Sequence, residues 1–108
     1  MKVFISQHMR GMKPEEILAA RKEAEVLVRK NHGEDVQIID SYHPEFADMK
    51  PPVAMAKSMA MLAQADAVYF IGSPYDGGMA LERAFCETYK IPMAILHSEC
   101  LCTAKEIC

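Results

Sequence analysis

The stretch Ala67-Val68-Tyr69-Phe70-Ile71 limits this chain more than any other, because it is apolar on both faces rather than at alternate positions. A strand that alternates can rest one face on a core and show the other to water. A strand apolar on both faces has to be covered on both, as a central strand of a parallel sheet is. The sequence around it supplies the cover. Val3-Phe4-Ile5 is a short apolar run ending in the polar loop Ser6-Gln7-His8-Met9-Arg10-Gly11, which reads as the opening of a strand–helix–strand unit. Pro14 then stands where a first helical turn tolerates proline, followed by Glu15 and Glu16, which complement a helix N-terminus.

Ile17, Leu18, Ala20, Ala24, Leu27 and Val28 recur at helical spacing, with Arg21, Lys22, Glu25 and Arg29 expected to face out, and Asn31-His32-Gly33 ends the helix. Val36–Ile39 reads as a second strand closed by Asp40-Ser41, and the three prolines between Tyr42 and Pro52 mark an excursion. Val53–Gln64 reads as an Ala- and Met-rich helix, Met79–Tyr89 as a third helix and Pro92–Leu96 as a fourth strand. Strands alternating with helices predict a single α/β domain over residues 1–108, with 97–108 as a less regular tail. The expected architecture is a three-layer flavodoxin-like or Rossmann-like sandwich around a mostly parallel sheet of about four strands. In such sheets ligands bind at the carboxyl ends of the strands, here the loops 6–12, 40–52 and 72–78.

Composition excludes several classes of function. A net charge of −3 without a basic patch argues against long nucleic acids as partners. No apolar run reaches the ~18 residues of a membrane span, and the N-terminus turns polar too soon for a signal peptide, so a cytoplasmic protein is expected. Cys86, Cys100, Cys102 and Cys108 then read as free thiols. His97-x-x-Cys100-x-Cys102 lacks the usual spacing of zinc ligands, so no metal is expected. The first loop also lacks both the G-x-G-x-x-G of a dinucleotide fold and the G-K-[ST] of a phosphate loop, and no cofactor is expected.

Two constellations carry chemistry. In Tyr75-Asp76-Gly77-Gly78-Met79-Ala80-Leu81-Glu82, Asp76 suits an N-cap, and the two glycines let a ligand approach backbone N–H groups at a helix start. Glu82 falls in the second turn beside the arc Leu81, Ala84, Phe85 and Thr88, with no basic neighbour three or four residues away. It reads either as a solvated helix glutamate or as an ionised carboxylate ready to act as a nucleophile. In the loop from Ser6 to Gly11, Arg10 has the fork that clamps a phosphate, and His8 can titrate near neutrality; either can also be an inert surface residue.

Three features together resemble the nucleoside 2-deoxyribosyltransferase-like family, and in particular a small bacterial and phage branch related to 2′-deoxynucleoside 5′-phosphate N-hydrolases. They are Lys2-Val3-Phe4-Ile5-Ser6-Gln7 running into Met9-Arg10-Gly11, Asp40-Ser41 closing strand two, and Ala65-Asp66-Ala67-Val68-Tyr69-Phe70 followed by a glycine-bearing loop and Glu82. The resemblance spans about residues 1–95. It implies a dimeric or larger flavodoxin-like protein with a nucleoside or nucleotide above the strand ends. Glu82 would be the nucleophile on the anomeric carbon, and Met9-Arg10-Gly11 would hold a 5′-phosphate. The binding set so implied is Ser6, Gln7, His8, Arg10, Gly11, Asp40, Asp76, Gly77 and Gly78.

Two positions depart from the family pattern: Phe4 stands where catalytic relatives carry tyrosine, and Ser58 where they carry aspartate. Loss of such groups favours the alternative of a non-catalytic module that binds a nucleotide or sugar phosphate in the same cleft. A purely structural role is a third reading. The helix from Val53 is apolar around too much of its circumference for one buried face, which predicts a homodimer or larger assembly through it, with Lys57 and Ser58 turned to the cleft or its rim.

Overall fold

The computed structural model describes residues 1–7, 13–39, 41, 43–72 and 77–96. Strands β1 (Lys2–Gln7), β2 (Gln37–Ile39), β3 (Ala67–Ile71) and β4 (Met93–Leu96) form one sheet in the order β2-β1-β3-β4. Every pairing is parallel. Helices α1 (Pro14–His32), α2 (Pro51–Leu62) and α3 (Gly77–Tyr89) make the connections, and a short 3₁₀ helix, Pro44–Asp48, precedes α2. This is the expected three-layer α/β sandwich.

Alternation along β1 sorts the core into two clusters. Val3 and Ile5 point to α1, where they meet Ala24, Leu27, Val28 and Tyr69. Phe4 points the other way and packs with Val68, Phe70, Leu62, Met79 and Cys86 under α2 and α3. The strand order reverses between β1 and β3, which places the crevice of such a sheet above their carboxyl ends. The pairings there are unequal. Against β2, β1 is paired only from Lys2 to Phe4; against β3 it is paired from Val3 to Gln7. The last three residues of β1 thus stand beyond the end of β2 and leave a notch on that side.

Helix α1 starts where the sequence suggests. The Glu16 carboxylate accepts from the Lys13 N–H at 2.9 Å, satisfying a donor that the helix itself leaves free. It stops at Gly33, whose φ of 97° is open to glycine but strained for other residues. Its buried stripe is Ile17, Arg21, Ala24, Leu27 and Val28. Two expectations are corrected here. Leu18 lies off that stripe and is 50% exposed, while Arg21 lies on it and is buried, its charge satisfied rather than solvated. Spacing dictates both: 17, 21, 24 and 28 are steps of three or four residues, and 18 is turned about 100° away.

Helix α2 begins two residues earlier than expected, at Pro51, because Pro51 and Pro52 sit in the first turn where their missing N–H groups cost nothing. Of its side chains only Leu62 is fully buried, and Val53 is 45% exposed. Helix α3 likewise begins two residues early, at Gly77. No described helix is long and apolar enough to cross a membrane.

Candidate functional site

The buried stripe of α3 is Met79, Glu82 and Cys86. The arc expected around Leu81 turns outward at Leu81, which is 55% exposed, and only Phe85 of that arc packs partly against the core. Packing of α3 on the sheet therefore forces a carboxylate inward among apolar neighbours. Glu82 is only 5% exposed, which overturns its reading as a solvated helix residue. Both carboxylate oxygens are hydrogen-bonded. The Ser6 hydroxyl donates to Oε1 at 2.5 Å and the Ser58 hydroxyl donates to Oε2 at 2.8 Å.

Three elements thus converge on one group. Ser6 shares the face of β1 that carries Phe4, two residues on, and Ser58 comes from α2. Burial raises the Glu82 pKa above the usual carboxylate value of 4.5, and the two serine hydroxyls work against that rise. One turn further on, burial together with the charges of Glu82 and Glu87 pushes the Cys86 thiol up to about 11, so this cysteine is a core residue rather than a reactive one.

Glu82 lines a cleft of about 910 Å³ between α2, α3 and the 3₁₀ helix. The cleft walls are apolar, with Phe46, Met55, Met59 and Leu81, while Gln7, Ser41, Ser58 and Glu82 make its polar part. The His43 ring stacks on Phe46 with centroids 5.0 Å apart, presenting a flat aromatic surface at the wall. Gly77 and Gly78 border the same cleft. Gly77 has φ +55°, a left-handed turn into the helix, and a Cβ on Gly78 would meet Met55 Sδ at 3.0 Å, so α3 begins in close contact with α2.

A second polar unit supports the site from below. The Arg21 guanidinium donates to Ser41 Oγ at 2.8 Å and to the Ile39 carbonyl at 2.9 Å. The Ser41 hydroxyl in turn donates to the Ile5 carbonyl at 2.6 Å, bridging the notch that β2 leaves beside β1. A buried arginine in an otherwise apolar stripe thereby fixes one residue of the cleft floor.

Of the residues expected in the site, the fold brings together Glu82, Ser6, Gln7, Gly77 and Gly78. His8, Arg10, Gly11, Asp40, Asp76 and the cysteines of the tail lie outside the described residues. Ser58 faces Glu82 as one of the two expected options, and Lys57 is exposed. Sequence reasoning missed His43, Phe46 and the Arg21–Ser41 unit. The signal for the last was a charged residue in register with an apolar stripe. Comparison with protein-family models, with curated proteins and with solved structures finds no match.

Chemically, the arrangement offers a held carboxylate on the wall of a cleft whose other walls suit a flat apolar group. Besides Glu82, the described cleft-lining side chains include one imidazole, that of His43, which lies 3.3 Å from the Glu45 carboxylate.

Proposed function

We propose that this protein cleaves or transfers the N-glycosidic bond of a nucleoside or nucleoside 5′-monophosphate, with Glu82 as nucleophile. The observation that carries the reading is the seating of Glu82: buried, held at both oxygens by serine hydroxyls, and open to a cleft. A carboxylate fixed at both oxygens loses little freedom when it attacks. The hydroxyl of Ser6 serves where the resembling family has a tyrosine at the position of Phe4. An oxygen of Glu82 bonds to the anomeric carbon, the carbon–nitrogen bond breaks, and the base leaves with the electron pair and takes up a proton. Water then hydrolyses the resulting ester, or a second base displaces Glu82. His43 is the described cleft residue suited to deliver the proton to the departing base. The aromatic wall of Phe46 and His43 suits a stacked base, at a cleft size ordinary for small ligands.

Glu82→Gln tests the nucleophile. It keeps the shape and removes the charge, so base release from a panel of nucleosides and nucleotides is expected to fall by about 10³-fold or more. Unchanged release would exclude Glu82. Because only the ionised form attacks, the acid limb of the rate profile is expected above the ordinary carboxylate value of 4.5. Stability moves in the opposite sense. A carboxyl whose pKa is raised by folding contributes most below its unfolded value, and that contribution is lost as pH rises through the folded value. The variant is therefore expected to match wild type in acid and to melt higher at neutral pH.

A second reading, a binding module without turnover, is favoured by the same burial, which disfavours the charged nucleophile. Nucleotides that raise the melting temperature without releasing base would select it. In either reading a second copy covers the open face of α2, where Val53 is exposed and Leu62 is the sole fully buried side chain. Sedimentation at micromolar concentration is expected to give twice the chain mass of 12.1 kDa, and a monomer at every concentration would refute the dimer.

A further inference from the structure

We infer that the seam between α2 and α3 is a redox-sensitive device, in which peroxide oxidation of the Met55 thioether loosens α2 from α3 at the cleft wall. The face that α2 turns inward is Met55, Ser58, Met59 and Leu62, which share one side of a helix. Leu62 is its sole fully buried side chain, and Ser58 is tied to Glu82. Met55 and Met59 are half-buried and border the cleft. The helix is therefore seated largely through thioethers that stand beside open space. A thioether fills an irregular gap well, and it becomes polar when it is oxidised.

Gly78 singles out Met55 as the responsive group. A Cβ added at Gly33, Gly72 or Gly77 would meet nothing within 4 Å, whereas one at Gly78 would lie 3.0 Å from Met55 Sδ and 3.7 Å from its terminal methyl. The sulfur thus packs on the backbone of the first turn of α3. Gly78 is itself exposed and borders the cleft, so a small oxidant reaches the contact from that side. An oxygen on Sδ needs room beside a backbone already in close contact, and it turns an apolar seat polar.

The step balances with hydrogen peroxide as the oxidant. A lone pair of Sδ attacks one peroxide oxygen, the O–O bond breaks, the sulfur is oxidised by two electrons and water leaves. Cys86 does not compete, because it is buried and its thiol is pushed up to about 11. Met79 is buried as well. Met93, 37% exposed on β4, supplies an internal reference for the reach of the oxidant. The inference stands apart from the reaction proposed above, since its readouts need no ligand.

The test treats the full chain with graded hydrogen peroxide and follows peptide mass, amide hydrogen exchange and thermal unfolding. Met55 is expected to gain one oxygen at concentrations that oxidise Met93. Amides of residues 53–62 and 77–80 are then expected to exchange about tenfold faster or more while those of α1 hold, and the melting temperature to fall by about 5 °C or more. Methionine sulfoxide reductases are expected to reverse all of these changes. Met55→Leu, close in volume, is expected to keep less than about a third of the response when compared with itself before and after peroxide. Resistance of Met55 at concentrations that oxidise Met93 would overturn the inference. So would a Met55 sulfoxide that leaves exchange and melting unchanged, and these two outcomes are read on wild type even if the variant fails to fold. A full response surviving in Met55→Leu would overturn it too.

Discussion

The two helical layers cover the same sheet and do different work. On one side α1 lies along β1, β2 and β3 over a continuous apolar cluster, and the one buried charge, Arg21, is hydrogen-bonded to Ser41 and the Ile39 carbonyl and lies 3.4 Å from Glu25. On the other side α2 and α3 share the cover and leave a cleft between them. There the buried carboxyl group, Glu82, has no cation beside it among the described residues, only two hydroxyls and an opening to the cleft. A buried ion with directed partners fixes geometry. One stabilised only by neutral donors is held at a cost and retains the capacity to react. The same sheet therefore draws its rigidity from the α1 side and presents its chemistry on the α2/α3 side.

Substitutions can break or sharpen this contrast. The largest effect is expected on the α1 side, where Ile5 has no exposed surface. Ile5→Ala should cost about 2–5 kcal/mol in denaturant unfolding, and a loss under ~1 kcal/mol would show that the α1 layer is not the rigid one. Arg21→Met comes next. It leaves Ser41 and the Ile39 carbonyl short of a donor while keeping the apolar stem, and should cost about 1–3 kcal/mol and weaken ligand binding in the cleft through Ser41. Arg21→Lys should not rescue it, since one ammonium cannot reproduce the two-pronged contact. If binding is untouched in either variant, the α1 side does not position the site. The smallest effect belongs to α2. Val53→Ala should change stability by no more than ~0.5 kcal/mol in the monomer, and a larger, concentration-dependent loss would show α2 covered by a second copy.

The sequence disclosed the sheet and its helices because burial on both faces of β3 and the caps of α1 are local patterns. Boundaries slipped by two residues where Pro51 and Gly77 start helices earlier than apolar periodicity does. The site was legible only in part. Glu82 and the paired glycines stood out from their place after a strand, whereas Ser6 and Gln7, read as the start of a loop, are the last two residues of β1 because they pair with Phe70 and Ile71 of β3. The face that Glu82 presents was not legible, since Leu81, Ala84 and Phe85 offer a rival apolar stripe on α3, and only packing against β1 and β3 decides between the two. Arg21 was assigned to solvent for the same reason: periodicity places a residue on a face, whereas its hydrogen-bond partners are 18 and 20 residues away in the chain. His43 and Phe46 fall in the proline-rich excursion, where no period exists to be read.

The short pairing of β1 with β2 bears on how this site can change. The notch beside residues 5–7 of β1 exists because β2 stops opposite Phe4, and Ser41 bridges the gap. Each further residue of β2 paired with β1 would raise that floor by about 3.3 Å, the rise of a parallel strand, which is more than the diameter of a hydroxyl group. Depth at this end of the cleft is thus set in whole residues by where a strand stops. Side-chain replacement can alter the chemistry of the notch wall, but inserting or deleting a residue near Ser41 is what would deepen the notch or abolish it.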